Sequence, residues 1–153
     1  MMFNKISTQD DVQELMKKFG SFHDSCIKEL RYISGGYVSK GYSDQNRPMY
    51  PLNSKRSVNI IFQSQNADYS VIEMKFDYIQ KLNLVPRNED YDCVIYDASL
   101  VKIGDLFYWS EWGDFKIEDI INENRTWISS KEVHWRQLPE EFLGDKLIYN
   151  DFT

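Results

Sequence analysis

Between positions 57 and 78, apolar and polar residues alternate with a period of two on both sides of a short polar break, and this constrains the fold more than any other feature of the chain. Val58, Ile60 and Phe62 share one face of a segment at 57–64, and Ile72, Met74, Phe76 and Tyr78 share one face of a segment at 69–78. Gln65, Asn66, Ala67 and Asp68 lie between them as a turn. A period of two marks strands, whose side chains point to alternate faces. Glu73, Lys75 and Asp77, opposite the apolar set, predict an antiparallel sheet with one face in water. Further strands are expected at 25–34, 81–85, 91–100, 106–111 and 125–138, the last with a candidate break near its middle.

The periodicity is different before residue 20. Val12, Leu15, Met16 and Phe19 fall at i, i+3, i+4 and i+7 and line one face of a helix at 8–19. Thr8 with Asp11 has the spacing of a capping box, Gly20 provides a stop, and Lys17 and Lys18 suit the negative end of the helix dipole. Gly35 and Gly36 suit a hairpin turn from which Tyr37 and Val38 begin a return strand, and residues 39–56 read as a long polar loop. A short helix is expected at 114–122, and a helical turn from Pro139. Many short strands and few helices indicate an α+β domain, with an antiparallel β-sheet of about six to eight strands and the N-terminal helix packed on it. The 153 residues suit a single domain over 1–153, which would bury roughly 68–70% of its unfolded surface.

A hydrophobic content of 42%, with 15% aromatics, is that of a chain that buries a core. Met1 to Ile6 lead at once into polar residues, and no apolar run approaches the length of a membrane span, so a cytoplasmic protein without a membrane partner is expected. Cys26 and Cys93 are expected to be buried free thiols in strands. The net charge of −6 is unevenly placed, since residues 89–123 hold ten acidic and only two basic side chains. Phosphate backbones repel such a chain, and nucleic acid is not an expected partner.

The densest group of reactive side chains is Phe22-His23-Asp24-Ser25-Cys26. Strand alternation puts His23 and Ser25 on one side and Asp24 and Cys26 on the other, so adjacency alone makes no His–Cys dyad. No Gly-rich elbow supplies an oxyanion site around Ser25 or Cys26. His23 and Asp24 remain the alternative catalytic pair, with a capping role for Asp24 or Ser25 and a hydrogen-bonding role for His23 as the competing account. His134 is the second of the two histidines. A metal set drawn from His23, His134, Asp24 and Glu132 lacks ligand spacing, so neither a metal centre nor a cofactor is expected.

Residues 89–123 interleave their carboxylates with Tyr91, Tyr96, Phe107, Tyr108, Trp109, Trp112 and Phe115. Aromatic rings give large, stiff contact areas, and carboxylates steer and pair with basic groups. A surface for a basic protein partner would use Asp105, Tyr108, Trp109, Glu111, Trp112, Asp114 and Glu118. A strand with its acids in water and its aromatics in the core would show the same pattern.

Phe22-His23-Asp24-Ser25 at the start of a strand, Ile72-Glu73-Met74-Lys75-Phe76 in a later one, and the stretch from Trp127 to His134-Trp135-Arg136 resemble immunity-type proteins of bacterial polymorphic toxin systems and their uncharacterised relatives. The resemblance runs from about Phe22 to Leu138, with 39–56 as an insertion. It implies a non-enzymatic β-rich protein that binds and neutralises a toxin domain. Two other classes are carried beside it: a small hydrolase, metal-dependent or built on His23 and Asp24, and a structural homodimer rather than a monomer, with its exposed aromatics face to face.

Overall fold

The computed structural model describes residues 2–39, 51–66, 68–121 and 124–149. Its elements run β1 (Asn4–Ile6), α1 (Gln9–Lys18), a 3₁₀ turn (Gly20–Phe22), β2 (Ser25–Ile33), β3 (Gly36–Val38), β4 (Pro51–Asn53), β5 (Ser57–Ser64), β6 (Val71–Asn83), β7 (Ser99–Ile103), β8 (Leu106–Ser110), a 3₁₀ turn (Ile117–Ile121), β9 (Trp127–Gln137) and a last 3₁₀ turn (Glu140–Phe142). Among the described residues, seven strands make one antiparallel sheet in the order β2-β5-β6-β9-β8-β7, with β1 also on β9. β9 pairs with β6 along one edge and, on the other, with β8 at 127–130 and then with β1 at 133–135. The architecture is α+β, mostly β, with the N-terminal helix packed against the sheet.

Helix α1 starts where its cap dictates. Thr8 Oγ1 accepts the Asp11 N–H at 3.2 Å, while Asp11 Oδ2 accepts the N–H groups of Ser7 at 2.8 Å and Thr8 at 2.9 Å. Those backbone donors hold the Asp11 carboxyl below its ordinary pKa. Val12 and Leu15, with the C-capping Phe19, bury the apolar face against the sheet, and Met16 packs at its margin. Behind the helix, Phe19, Phe22, Phe62 and Trp109 form an aromatic nest with ring centroids 4.9 Å apart for Phe22 and Phe62 and 5.3 Å for Phe62 and Trp109.

The strand readings hold in outline and differ in detail. β2 and β5 form a hairpin that β3 and β4 continue past a break, so Tyr37 and Val38 pair with Leu52 and Pro51 rather than with β2. Gly35, at φ +74°, permits this crossing, because a Cβ there would sit 2.5 Å from the Lys55 carbonyl oxygen. Residues 40–50 of the expected loop lie outside the described residues. The segments at 69–78 and 81–85 are parts of one strand, β6, and the irregularity expected in β9 lies instead in β6, between Ile79 and Lys81. The expected strand at 91–100 is replaced by irregular chain with one bridge, Ser25 to Ile95, followed by β7. The expected helix at 114–122 is a 3₁₀ turn at Ile117–Ile121, and Asn122 lies outside the described residues.

The face of β6 expected to be wet is covered. Glu73 and Asp77 are each only 1% exposed, because side chains from β5, β9 and the segment leading to β5 close over them. Arg136 and Asn59 reach Glu73, Lys55 and Lys75 reach Asp77, and Phe3 lies under the Arg136 guanidinium at 4.4 Å. Further along, Leu138, Phe142 and Tyr149 pack against Ile61 and Val71. No helix among the described residues is long and apolar enough to cross a membrane.

Candidate functional site: an acidic aromatic concavity

The chain leaves α1 through a strained corner. Gly20, Ser21 and Phe22 all have φ near +60°, and Asp24 lies at φ +57°. The left-handed region is costly for non-glycine residues, and the buried Phe22 ring, wedged between Phe62 and Trp109, is what holds the corner. The corner grips the 85–98 segment through backbone bonds. The Asp24 N–H donates to the Ile95 carbonyl at 3.0 Å, the Ile95 N–H to Ser25 at 2.7 Å, and the Ala98 N–H to Ser21 at 3.0 Å. Within that segment the Asn88 and Asp92 side chains accept the N–H groups of Asp90 and Val94, turning the chain where it would otherwise extend.

The opposing wall follows β8. Ser110 Oγ accepts the Trp112 N–H at 3.3 Å, and Ser99 Oγ donates to the Trp112 carbonyl at 2.8 Å while accepting the Phe115 N–H at 3.0 Å. These bonds fix Trp112 at the rim, where the Arg125 guanidinium stacks on its ring at 3.6 Å. Glu111 Oε1 accepts the Thr126 N–H at 3.1 Å; its half-burial pushes the carboxyl pKa up, opposed by that bond and by Arg125.

Between the two walls lies a concavity of about 630 Å³. Asp92, Asp97, Glu111 and Asp114 line it against one guanidinium, Arg87. Tyr91, Tyr96 and Trp112 also line it, and they are 73%, 68% and 51% exposed. Exposed rings interleaved with carboxylates suit a cationic side chain, which gains from ring faces and from charge-assisted hydrogen bonds.

Of the residues singled out in the sequence for binding, Glu111, Trp112 and Asp114 line this concavity, and Asp105, Tyr108 and Glu118 do not. Trp109 is corrected outright. It is fully buried in the aromatic nest and presents no surface, because strand alternation turns Phe107 and Trp109 inward and leaves Tyr108 on the other face, stacked on Phe115 at 5.5 Å. Tyr91, Asp92, Tyr96 and Asp97 belong to the site instead. Their signal was present in the acidic, aromatic composition of 89–123, but not the turn that folds them toward Trp112.

His23 stands beside this wall. Its Nδ1 lies 2.5 Å from the Tyr96 carbonyl oxygen, so Nδ1 carries the proton. Its Nε2 is 3.3 Å from Asp24 Oδ2, and Asp97 lies 3.8 Å from Nδ1. The Tyr96 bond first, then Asp24, raise its pKa, with Asp97 adding to them and desolvation opposing. The ring therefore points its nitrogens at acceptors rather than at a nucleophile. The Ser25 hydroxyl donates to the Phe22 carbonyl at 2.6 Å, and the half-buried Cys26 thiol has its pKa raised by burial and then by the neighbouring Cys93. Cys93 is exposed in the irregular segment rather than buried in a strand.

The metal-ligand set weighed from the sequence is divided. His23 and Asp24 lie behind the 87–97 wall, bonded to Tyr96 and Ile95, whereas His134 and Glu132 lie on β9 beside Asp77. Burial lowers the His134 pKa, and Asp77 and Glu132 oppose that shift. Comparison of this chain with models of known protein families, with curated protein sequences and with solved structures gave no match.

Proposed function

We propose that this chain is a non-enzymatic binding protein of the immunity type, which receives a basic segment of a protein partner, of the toxin-domain class, in the concavity between the 87–97 segment and Trp112. The observation that carries this reading is the exposure of Tyr91, Tyr96 and Trp112 around four carboxylates in one depression. Large aromatic rings left in water are costly unless a partner covers them, and they are the side chains that dominate binding energy at interfaces. The carboxylates supply the long-range attraction that raises association rates for a cationic partner. A homodimer through the same surface would bring these carboxylates face to face, which disfavours self-association there.

The test is paired capture at low salt with the wild-type chain and with a triple charge reversal, Asp92→Lys, Asp97→Lys and Asp114→Lys, followed by kinetics with the purified partner. A basic protein held by the wild type should associate at least tenfold more slowly with the reversed chain, and its rate should lose most of its salt dependence. Trp112→Ala should act mainly on dissociation. Equal binding by wild type and both variants would refute the assignment.

A further inference from the structure

On the other face of the sheet, we infer that Asp77, Glu132 and His134 form a binding site for one divalent transition-metal ion of the zinc class. The inference is independent of the concavity and of its partner. β6 and β9 bring the three residues together. Asp77 and Glu132 are direct cross-strand partners, and His134, two residues along β9 and opposite Lys75, is the diagonal neighbour of Asp77. One ligand atom from each residue lies within 4.8 Å of the others.

Two of the donor atoms lack partners where partners are expected. Asp77 Oδ1 and His134 Nδ1 are both buried without a hydrogen bond, and the Asp77 side chain is 98% buried. Buried polar atoms in folded proteins are almost always satisfied, and an orphaned oxygen on Asp77 together with an orphaned imidazole nitrogen on the neighbouring His134 points to a bound cation as their common partner. His134 Nδ1 stands 3.9 Å from Asp77 Oδ2. Around a tetrahedral ion with bonds of about 2.0–2.1 Å, ligand atoms stand about 3.4 Å apart. The set therefore closes with small side-chain rotations, to which Glu132 contributes most because it is the longer and less buried carboxylate.

The donor set selects the ion. One imidazole and two carboxylates match three protein ligands with an open fourth position, the pattern zinc accepts. Calcium needs six to eight oxygens and magnesium a near-ideal octahedron, and neither demand is met by two carboxylates and a nitrogen. The Asp77 carboxylate is paired with Lys55, whose Nζ is 3.1 Å from Oδ2, and with Lys75 at 3.9 Å. The Lys55 side chain is 42% exposed and can turn into water when an ion displaces it. Lys55 is thus a competitor of the metal, and its removal has a predicted sign.

The test is calorimetric titration of the full chain with ZnCl₂, and with CaCl₂ and MgCl₂ as controls. His23→Gln, Cys26→Ser and Cys93→Ser together remove the other imidazole and the two thiols. One zinc ion per chain is expected in that background, with no uptake of calcium or magnesium. His134→Gln should weaken zinc binding by more than about tenfold, and should abolish the visible d–d bands of the cobalt-substituted protein. Lys55→Met should tighten binding several-fold. Absence of zinc uptake at millimolar ion, or unchanged affinity in a folded His134→Gln variant, would overturn the site. Should His134→Gln fail to fold, Lys55→Met decides: tighter binding supports the site, and equal or weaker binding overturns it.

Discussion

Arg136 meets Glu73 directly across β6 and β9, with its Nε 2.7 Å and its Nη2 2.6 Å from the same carboxylate oxygen, Oε1. Asn59 on β5 donates to the other oxygen at 3.1 Å, so three strands converge on one buried carboxylate. Taking a charge into the sheet is costly, and the pair offsets that cost only while both members are present. Arg136→Met should destabilise the fold by roughly 3 kcal/mol, the lower end of the range for breaking a buried pair, since Asn59 remains in place. The double change Glu73→Met with Arg136→Met should recover most of that loss. Urea denaturation of the two variants checks both expectations, and a loss of less than about 0.5 kcal/mol in Arg136→Met, the size of an ordinary surface change, would remove the pair from the account of stability.

Trp109 and Trp112 are three residues apart in sequence and opposite in role. Trp109→Ala empties the centre of the aromatic nest and should cost roughly 3–5 kcal/mol. Trp112→Ala removes a rim residue whose main fixed contact is the Arg125 stack, and should cost about 1 kcal/mol or less. Fluorescence quenching by acrylamide separates them without unfolding the chain. Trp112→Phe should remove the quencher-accessible component of the emission, and Trp109→Phe should leave that component intact.

These two residues also show where the sequence ceases to be legible. The capping box at Thr8, the apolar stripe from Val12 to Phe19 and the alternation through β5 and through β6 as far as Phe76 are local signals, and each is found where the pattern put it, whereas Tyr78, expected on the same apolar face, stands at φ +56° and is exposed because the strand turns there. β1 left no such signal, because three residues carry too little periodicity; it exists through its partner β9. Val94, Ile95 and Tyr96 resemble a strand by propensity, but side-chain caps at Asn88 and Asp92 bend that segment, and of the three Ile95 alone forms a β-bridge. The burial of Glu73 and Asp77 depends on side chains from β9 and from Lys55, far along the chain. The grouping of Asp77 with Glu132 and His134 is likewise a product of register between distant strands, which no spacing motif records.

His23 supplies the pH dependence. The carbonyl of Tyr96 accepts its Nδ1 proton, and Asp24 and then Asp97 add favourable charge, so its pKa in the folded chain stands above the ordinary 6.5. Protonated His23 therefore favours the folded state. Its contribution is fully present below pH 6.5 and is lost as pH rises through the elevated folded value. His134 is shifted in the opposite direction, so its effect falls below pH 6.5 and leaves the window above to His23. Stability measured between pH 7 and 8 should decline with rising pH in the wild-type chain and stay flat in His23→Gln, and an NMR titration of the His23 ring should give the elevated pKa directly. Protonation also places a cation at the wall shared by Tyr96 and Asp97. A basic partner seated in the concavity should thus bind more weakly as pH falls through that value, and His23→Gln should remove this dependence; a pH profile identical in the two proteins would place the partner elsewhere on the surface.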